Sequence, residues 1–363
     1  MMLHPHVTAD RLRRTAPRRE TGLTLVELLV AVTIGAVLIF GATQVYVDSR
    51  NSYAVNETTA RLQETARYAM SVLEPDIRMS NYWGLIKGAD GITGKAMPTD
   101  PQLALGAPAA SVCGLNVPLL LGSNLEGTND SYGAGCAANT AAMPNADTIT
   151  VRRASTVTRP PTTASGPLRI CSTRTSGVLV TDLSTALCQN VDAQINDLIV
   201  NLYYIDASSS QAGVPSLRRK ALNATPTFQD DEIVPGVEDM QVQYGVDPTG
   251  GLGASGGAAT EYLDAGATLT NLLNAAAPAQ IVSVRIWLLV RSDTPEAGFT
   301  DDRIYEYGDR LLANGTTGDL TKPADSTKAY RPSLSTDNSF TGVKRYRHLL
   351  ISRTIQIRNA LGT

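Results

Sequence analysis

Gly22-Leu23-Thr24-Leu25-Val26-Glu27-Leu28-Leu29-Val30 is the stretch from which the rest of the chain can be read. A basic leader ends at Gly22, with Arg11, Arg13, Arg14, Arg18 and Arg19 set against Asp10 and Glu20. The apolar run that follows carries one acid, Glu27, and holds no charged residue from Leu28 to Val47. About 20 apolar residues is the length that spans a bilayer core as a helix. A carboxylate near the start of such a run is costly in lipid and marks function more often than packing. Positive flanks stay in the cytoplasm, so the chain beyond the run is expected to face outward. Two rival readings are a secretory signal, cleaved after the run near Gly35-Ala36 or Gly41-Ala42, and an uncleaved anchor.

The helical pattern does not stop at Val47. Leu62, Ala66, Ala69, Leu73 and Ile77 recur near the 3.6-residue period, and Arg61, Glu64, Arg67, Ser71 and Glu74 fall on the other face. Glu57–Arg61 and Glu74–Arg78 have the favourable i,i+4 order. Gly35 and Gly41 weaken a helix by roughly 1 kcal/mol each. Pro75 disfavours helical geometry at Glu74, which sets a kink or an end between Leu73 and Ser80. The expectation is one helix over residues 23–80, membrane-spanning over 23–47 and amphipathic over 48–80, with residues 1–22 as leader and 81–363 as an outward-facing domain.

Residues 87–145, rich in Gly, Ala, Pro and Asn, read as a long loop region. Strands are expected beyond them. Ile149 and Val151 alternate with polar residues, and 198–205 and 217–222 form a hairpin across the turn-rich 206–215. Met240, Val242, Tyr244 and Val246 form another strand, and Val282, Val284, Ile286, Leu288 and Val290 the strongest. Leu349, Ile351, Ile355 and Ile357 form the last, with a further strand at 303–307 and a short helix within 263–276. One long helix before strands is an α+β arrangement, the helix lying against an antiparallel β-sheet with long loops.

The opening stretch resembles the class III signal of type IV prepilins and type II secretion pseudopilins, which reads Gly, then Phe-Thr-Leu-x-Glu and an apolar helix. Gly22, Thr24, Leu25 and Glu27 match, and Leu23 stands where Phe is usual. The resemblance implies cleavage between Gly22 and Leu23 by a prepilin peptidase and methylation of the new Leu23 amine. It also implies that Glu27 neutralises the amine of a neighbouring subunit in a filament. Four later blocks resemble PilW-type minor pilins: residues 69–84, Val234–Asp247, Val284–Ser292 and Arg353–Asn359. A pilin-like fold follows as an expectation, with a role in priming type IV pilus assembly at or near the tip, and through it in twitching, adhesion and DNA uptake. The implied partners are the peptidase, other minor pilins and the major pilin, an inner-membrane assembly platform and a tip adhesin. The implied location is the bacterial inner membrane and the pilus fibre. A type II secretion pseudopilin would share the fold and Glu27; a signal-anchored periplasmic enzyme or binding protein would keep its leader and show a cleft of ionisable groups.

The net charge of -3 gives no sign of a nucleic-acid binder, and the low charged content of 18% suits an exported domain. Cys113, Cys136, Cys171 and Cys188 are an even set in an exported domain and read as disulfides. Three connectivities are possible. Sequence-local pairing, Cys113–Cys136 with Cys171–Cys188, is preferred, each staple worth on the order of 3 kcal/mol; four buried free thiols are the alternative. No C-x-x-C spacing points to zinc. His348, alone outside the leader, reads as a surface or strand histidine. Residues 88–96 miss the phosphate-loop spacing and read as a turn. Asp230-Asp231-Glu232 and Asp301-Asp302 lack calcium-loop spacing and read as solvated turns, and Arg218-Arg219-Lys220 as an exposed strand or turn face. No catalytic set, cofactor or metal site is expected.

Overall fold

Thr24 starts the long helix α1 (Leu25–Arg78) as its N-cap: its Oγ1 accepts the Glu27 N–H at 3.2 Å and its carbonyl the Leu28 N–H at 3.1 Å. The computed structural model describes residue 22 and residues 24–98, 100–101, 113–114, 116–161, 166–225, 227–249, 257–274, 279–296, 298–309 and 345–360. The chain divides into two units, Met1–Asn56 and Glu57–Thr363.

In the first unit, the apolar run is helical and bare. Leu25 is 79% exposed and Phe40 74%, and the stretch is the one helix among the described residues long and apolar enough to cross a membrane. Its hydroxyls are satisfied on its own backbone: Thr33 Oγ1 donates to the Val30 carbonyl at 2.8 Å and Thr43 Oγ1 to that of Ile39 at 2.8 Å. Neither threonine therefore leaves a bare hydroxyl donor on the apolar surface.

The second unit opens on the rest of α1, where Leu62, Ala66, Ala69, Met70, Leu73 and Ile77 are buried. The four large side chains contribute on the order of 2 kcal/mol each by burial. Pro75 is carried inside the final turns, and the helix stops at Arg78, where Asn81 turns left-handed at φ 61°.

Two sheets receive that face. The smaller is antiparallel in the order β12–β11–β13–β14, built from β11 (Val237–Asp247), β12 (Glu261–Asp264), β13 (Gln280–Arg291) and β14 (His348–Gln356). Val284 stands opposite both Tyr244 and Ile355, and the alternate residues Met240, Val242, Ile286 and Leu288 join the same core as the helix. The larger sheet centres on β8 (Gln194–Asp206). Along one edge runs β5 (Thr148–Thr158), itself paired with β4 (Leu125–Thr128). The other edge is shared end to end by β9 (Ser216–Leu222) and β6 (Arg169–Ser172). Beyond these lie β10 (Phe228–Pro235) on β9, β7 (Gly177–Val180) on β6, and β3 (Ile92–Thr93), which pairs with β7 in parallel. The period of two sorts the faces of this sheet. Ile149, Val151, Tyr203 and Ile205 enter the helix-side core, whereas Ala154, Leu198 and Val200 enter a second core with Trp83, Ile86, Ile92, Leu119 and Leu121. A two-stranded ribbon, β1 (Tyr82–Trp83) and β2 (Ile86–Lys87), supplies part of that second core.

The expected α+β class with a long N-terminal helix is what the chain adopts, with corrections in detail. There are two principal sheets rather than one, and the β3–β7 pair is parallel. The 87–145 region contributes short strands because Trp83, Ile92 and Leu121 cover the far face of the larger sheet. The short helix is α2 (Ala267–Leu273). Residues 303–307 form isolated β-bridges at Tyr305 and Tyr307 rather than a continuous strand, and lay both rings on Leu289. Gly236 links β10 to β11 at φ 93°, its N–H on the Pro215 carbonyl and its carbonyl on the Arg291 N–H, both at 2.8 Å. A Cβ there would lie 3.1 Å from the Arg291 carbonyl oxygen, so glycine is required.

Candidate functional site

The spacing Thr24-Leu25-Val26-Glu27 is that of a capping box, and Thr24 fills the N-cap. Glu27 thus sits in the first turn, where the positive end of the helix favours a carboxylate. Its side chain is exposed, as are the apolar residues behind it. Gly22 is exposed and outside the helix, and Leu23 lies outside the described residues. What this segment can do chemically follows from its content: an uncharged apolar surface that lipid or other helices must cover, with one carboxylate at its edge.

In the second unit, the end of α1 is held by polar contacts from distant parts of the sequence. Asp76, 4% exposed, accepts from Arg153 Nε at 2.6 Å, Asn201 Nδ2 at 2.8 Å and the Tyr203 hydroxyl at 2.9 Å. These three donors stand on β5 and β8, so one carboxylate ties the helix to the larger sheet. Residues 353–359 supply a clasp: Arg353 pairs with Glu74, and the Arg358 N–H caps the Arg78 carbonyl at 3.1 Å. Asn81 Nδ2 donates to the Asn359 carbonyl at 3.1 Å, while Asn359 Nδ2 donates to that of Ser80 at 3.3 Å. Glu74 is held below the usual carboxylate range, chiefly by its hydrogen bond from Arg353. The four blocks singled out along the sequence therefore meet: 69–84 touches 353–359, and Val234–Asp247, Val284–Ser292 and the terminal block are adjacent strands.

Beside this helix lies a groove of about 830 Å³, lined among others by Arg61, Leu62, Tyr68, Val234, Arg291 and Asp293. Arg61 reaches Asp293 across 3.6 Å. No group of three His, Cys, Asp or Glu among the described residues is placed to hold a metal ion. Cys113 bonds Cys136 and Cys171 bonds Cys188, joining neighbours in sequence.

Three charged stretches differ from expectation. Asp230-Asp231-Glu232 is a strand segment on β10 facing Arg218-Arg219-Lys220 on β9, and Asp230 takes Arg218 Nε at 2.7 Å and Lys220 Nζ at 2.6 Å. Neither stretch is a solvated turn, and Arg218 and Lys220 are buried, because opposite charges meet directly across the ladder. Asp301 is buried at 1% exposure while Asp302 is exposed. His348 opens β14 but is buried, with Nδ1 2.9 Å from Asp301 Oδ2 and Nε2 3.0 Å from Glu238 Oε2. Residues 88–96 curl on themselves, Lys95 Nζ donating to the Ala89 and Asp90 carbonyls at 2.9 and 3.1 Å. Sequence reasoning passed over Asp76 and Thr24 as site residues. The Thr-x-x-Glu spacing was a legible signal for the cap; nothing local announced that Asp76 has partners 77 and 125 residues away.

Comparison with known families gives two matches. Residues 202–359, from the second half of β8 through β14 and into the clasp, match the model of Type IV Pilus-assembly protein W. Residues 17–43 match the prokaryotic N-terminal methylation motif. No curated protein and no solved structure matches the chain. With the methylation motif at one end and the pilus-assembly match over its C-terminal part, the chain is similar to PilW-type pilins at both ends, and its apolar N-terminal helix is long enough to serve as a membrane anchor.

Proposed function

We propose that this protein is a minor pilin that primes type IV pilus assembly and is built in at or near the pilus tip. Held in the inner membrane by residues 23–47 with its β-rich domain outside, the precursor is cut between Gly22 and Leu23 by a prepilin peptidase, and the Leu23 amine is methylated. Other minor pilins then cover the bare apolar helix. Glu27 meets the amine of a neighbour, a charge pair oriented by the low dielectric around it. The pair acts as a register device: a subunit seats where its carboxylate finds an amine. The assembly platform, the major pilin and a tip adhesin are the further partners of this reading, and it assigns no catalysis.

The observation that carries it is the capped segment Gly22–Glu27 leading into an exposed, uncharged apolar helix, on a chain whose C-terminal part is of PilW type. The test is intact mass and N-terminal sequencing of protein from membranes with and without prepilin peptidase. A mature chain beginning at methylated Leu23, present only with the peptidase, is expected. A retained leader, or a start beyond the apolar run, would overturn the reading.

A further inference from the structure

One face of the four-stranded sheet packs on α1; the other is independent of the assembly segment. On that outer face, register sets Asp264, Gln243, Arg285 and Thr354 in one row across β12, β11, β13 and β14. Tyr262, Gly245, Ser283 and Gln356 form the row on one side, and Gln241, Trp287 and Ser352 the row on the other. Tyr305 and Tyr307 cover Leu289 farther along, with Trp287 at the border of that cover. Ser352, Thr354 and Gln356 are exposed, and Tyr262, Gln243, Arg285 and Trp287 are partly so.

Gly245 makes the platform. A Cβ there would stand 2.9 Å from the Tyr262 ring and 2.2 Å from Ser283 Oγ. Without one, the tyrosine lies close across β11 and its hydroxyl meets Ser283 Oγ at 3.1 Å. Arg285 stacks on that ring, its guanidinium carbon 3.9 Å from the centroid of Tyr262 and 5.8 Å from that of Trp287. Stacking fixes the guanidinium without using its N–H groups. Among the described residues, no acceptor meets those N–H groups or the indole N–H of Trp287. Other arginines of the sheet are engaged: Arg353 pairs with Glu74, and Arg291 donates to the Gly213 carbonyl. Asp264, two strands away in the same row, takes its hydrogen bond from Gln243 and forms no ion pair with Arg285.

We propose that this face docks a protein partner through a carboxylate: an Asp or Glu side chain of the partner lies against the Arg285 guanidinium while an apolar neighbour rests on Trp287. Donors without acceptors call for an acceptor, and the cation calls for an anion. A guanidinium already held by a ring loses little freedom on pairing, so less ordering opposes binding. Trp, Tyr and Arg are also the side chains that carry most energy at interface centres. A sugar is a poorer fit, because Arg285 occupies a face of Tyr262 on which it would stack. A nucleic acid needs a run of cations, and Arg285 is the one cation in these three rows.

The full chain in detergent micelles is used to select short random peptides displayed on phage, with the Arg285→Gln chain for counter-selection. The selected peptides are expected to share an Asp or Glu beside an apolar residue. The leading one is then synthesised with a fluorescent label and followed by polarisation. Changing its acid to the amide should weaken binding to the parent chain at least about tenfold, and should cost nothing further on Arg285→Gln. Thr354→Glu, at an exposed position opposite Arg285, supplies a carboxylate from within and should weaken binding by a similar factor; Thr354→Gln should not. This pair keeps the test decisive even if Arg285→Gln disturbs the fold. Failure to select any peptide, selected peptides without an acid in common, equal binding of acid and amide peptides, or binding untouched by Thr354→Glu would overturn the proposal.

Discussion

Replacing Asp76 by alanine removes the acceptor of three donors at once, from Arg153, Asn201 and Tyr203. Breaking a buried ion pair from one side costs about 3–5 kcal/mol, and each buried donor left without a partner about 1–3 kcal/mol. These figures overlap rather than add, and Arg153, whose side chain is 17% exposed, can recover some hydration. About 4 kcal/mol is therefore expected for Asp76→Ala, close to a thousandfold in the folded-to-unfolded ratio. Asp76→Asn keeps the shape and one acceptor oxygen but loses the charge, and about 2 kcal/mol is expected. Against a total stability of roughly 5–15 kcal/mol, the alanine variant should be marginal. Guanidinium unfolding of the full chain in detergent, followed by fluorescence of Trp83 and Trp287, reads the effect as a lowered midpoint at constant slope. In a double-mutant cycle, Asp76→Asn with Arg153→Met should show a coupling of at least about 1 kcal/mol. A loss below about 1 kcal/mol for Asp76→Ala, or strict additivity in the cycle, would refute the claim that this carboxylate locks the helix to the sheet.

Other expectations are more compact. Glu27→Ala should leave leader cleavage and domain unfolding unchanged while surface pili fall sharply in electron micrographs; normal piliation would remove Glu27 from the assembly mechanism. Leu73→Ala opens a cavity in the fully buried helix–sheet core and should cost about 2–5 kcal/mol in thermal or denaturant unfolding. Cys171→Ser with Cys188→Ser frees a loop whose ends lie 17 residues apart and should cost about 3 kcal/mol, with thiol labelling of the parent showing no free cysteine. Burial raises the Asp230 pKa, but hydrogen bonds from Lys220, Tyr204 and Arg218 outweigh it and the net shift is downward. Its stabilisation is therefore present above the unfolded carboxylate value and lost as pH falls through the folded one, and Asp230→Asn should flatten that part of an acid-unfolding curve.

Periodicity made the long helix, its buried face at Leu62–Ile77 and the strands β8, β9, β11, β13 and β14 legible in advance, because the residues each sends into the helix-side core recur at the element's own period. The Gly22–Glu27 signal was legible for a different reason: a lone acid in an apolar run has no packing explanation. The misjudged residues are charged ones whose partners are remote. Asp301 and His348 lie 47 residues apart and Glu238 far from both, and a run such as Asp230-Asp231-Glu232 looks solvated until Arg218-Arg219-Lys220 is set opposite it by strand register. The 87–145 region hid its short strands because two-residue pairings leave no period to detect.

The clasp between Asn81 and Asn359 and between Ser80 and Asn359 joins positions 278 and 279 apart in sequence. Closing so long a loop costs only slightly more entropy than closing one half its length, but it fixes an order of events. Leu73 and Ile77 share one core with β5, β8, β11, β13 and β14, so the cover over them is complete only when strands from across the domain have closed on the helix. Closure of the domain over its helix is thus a quality check that a subunit passes only with β14 in place.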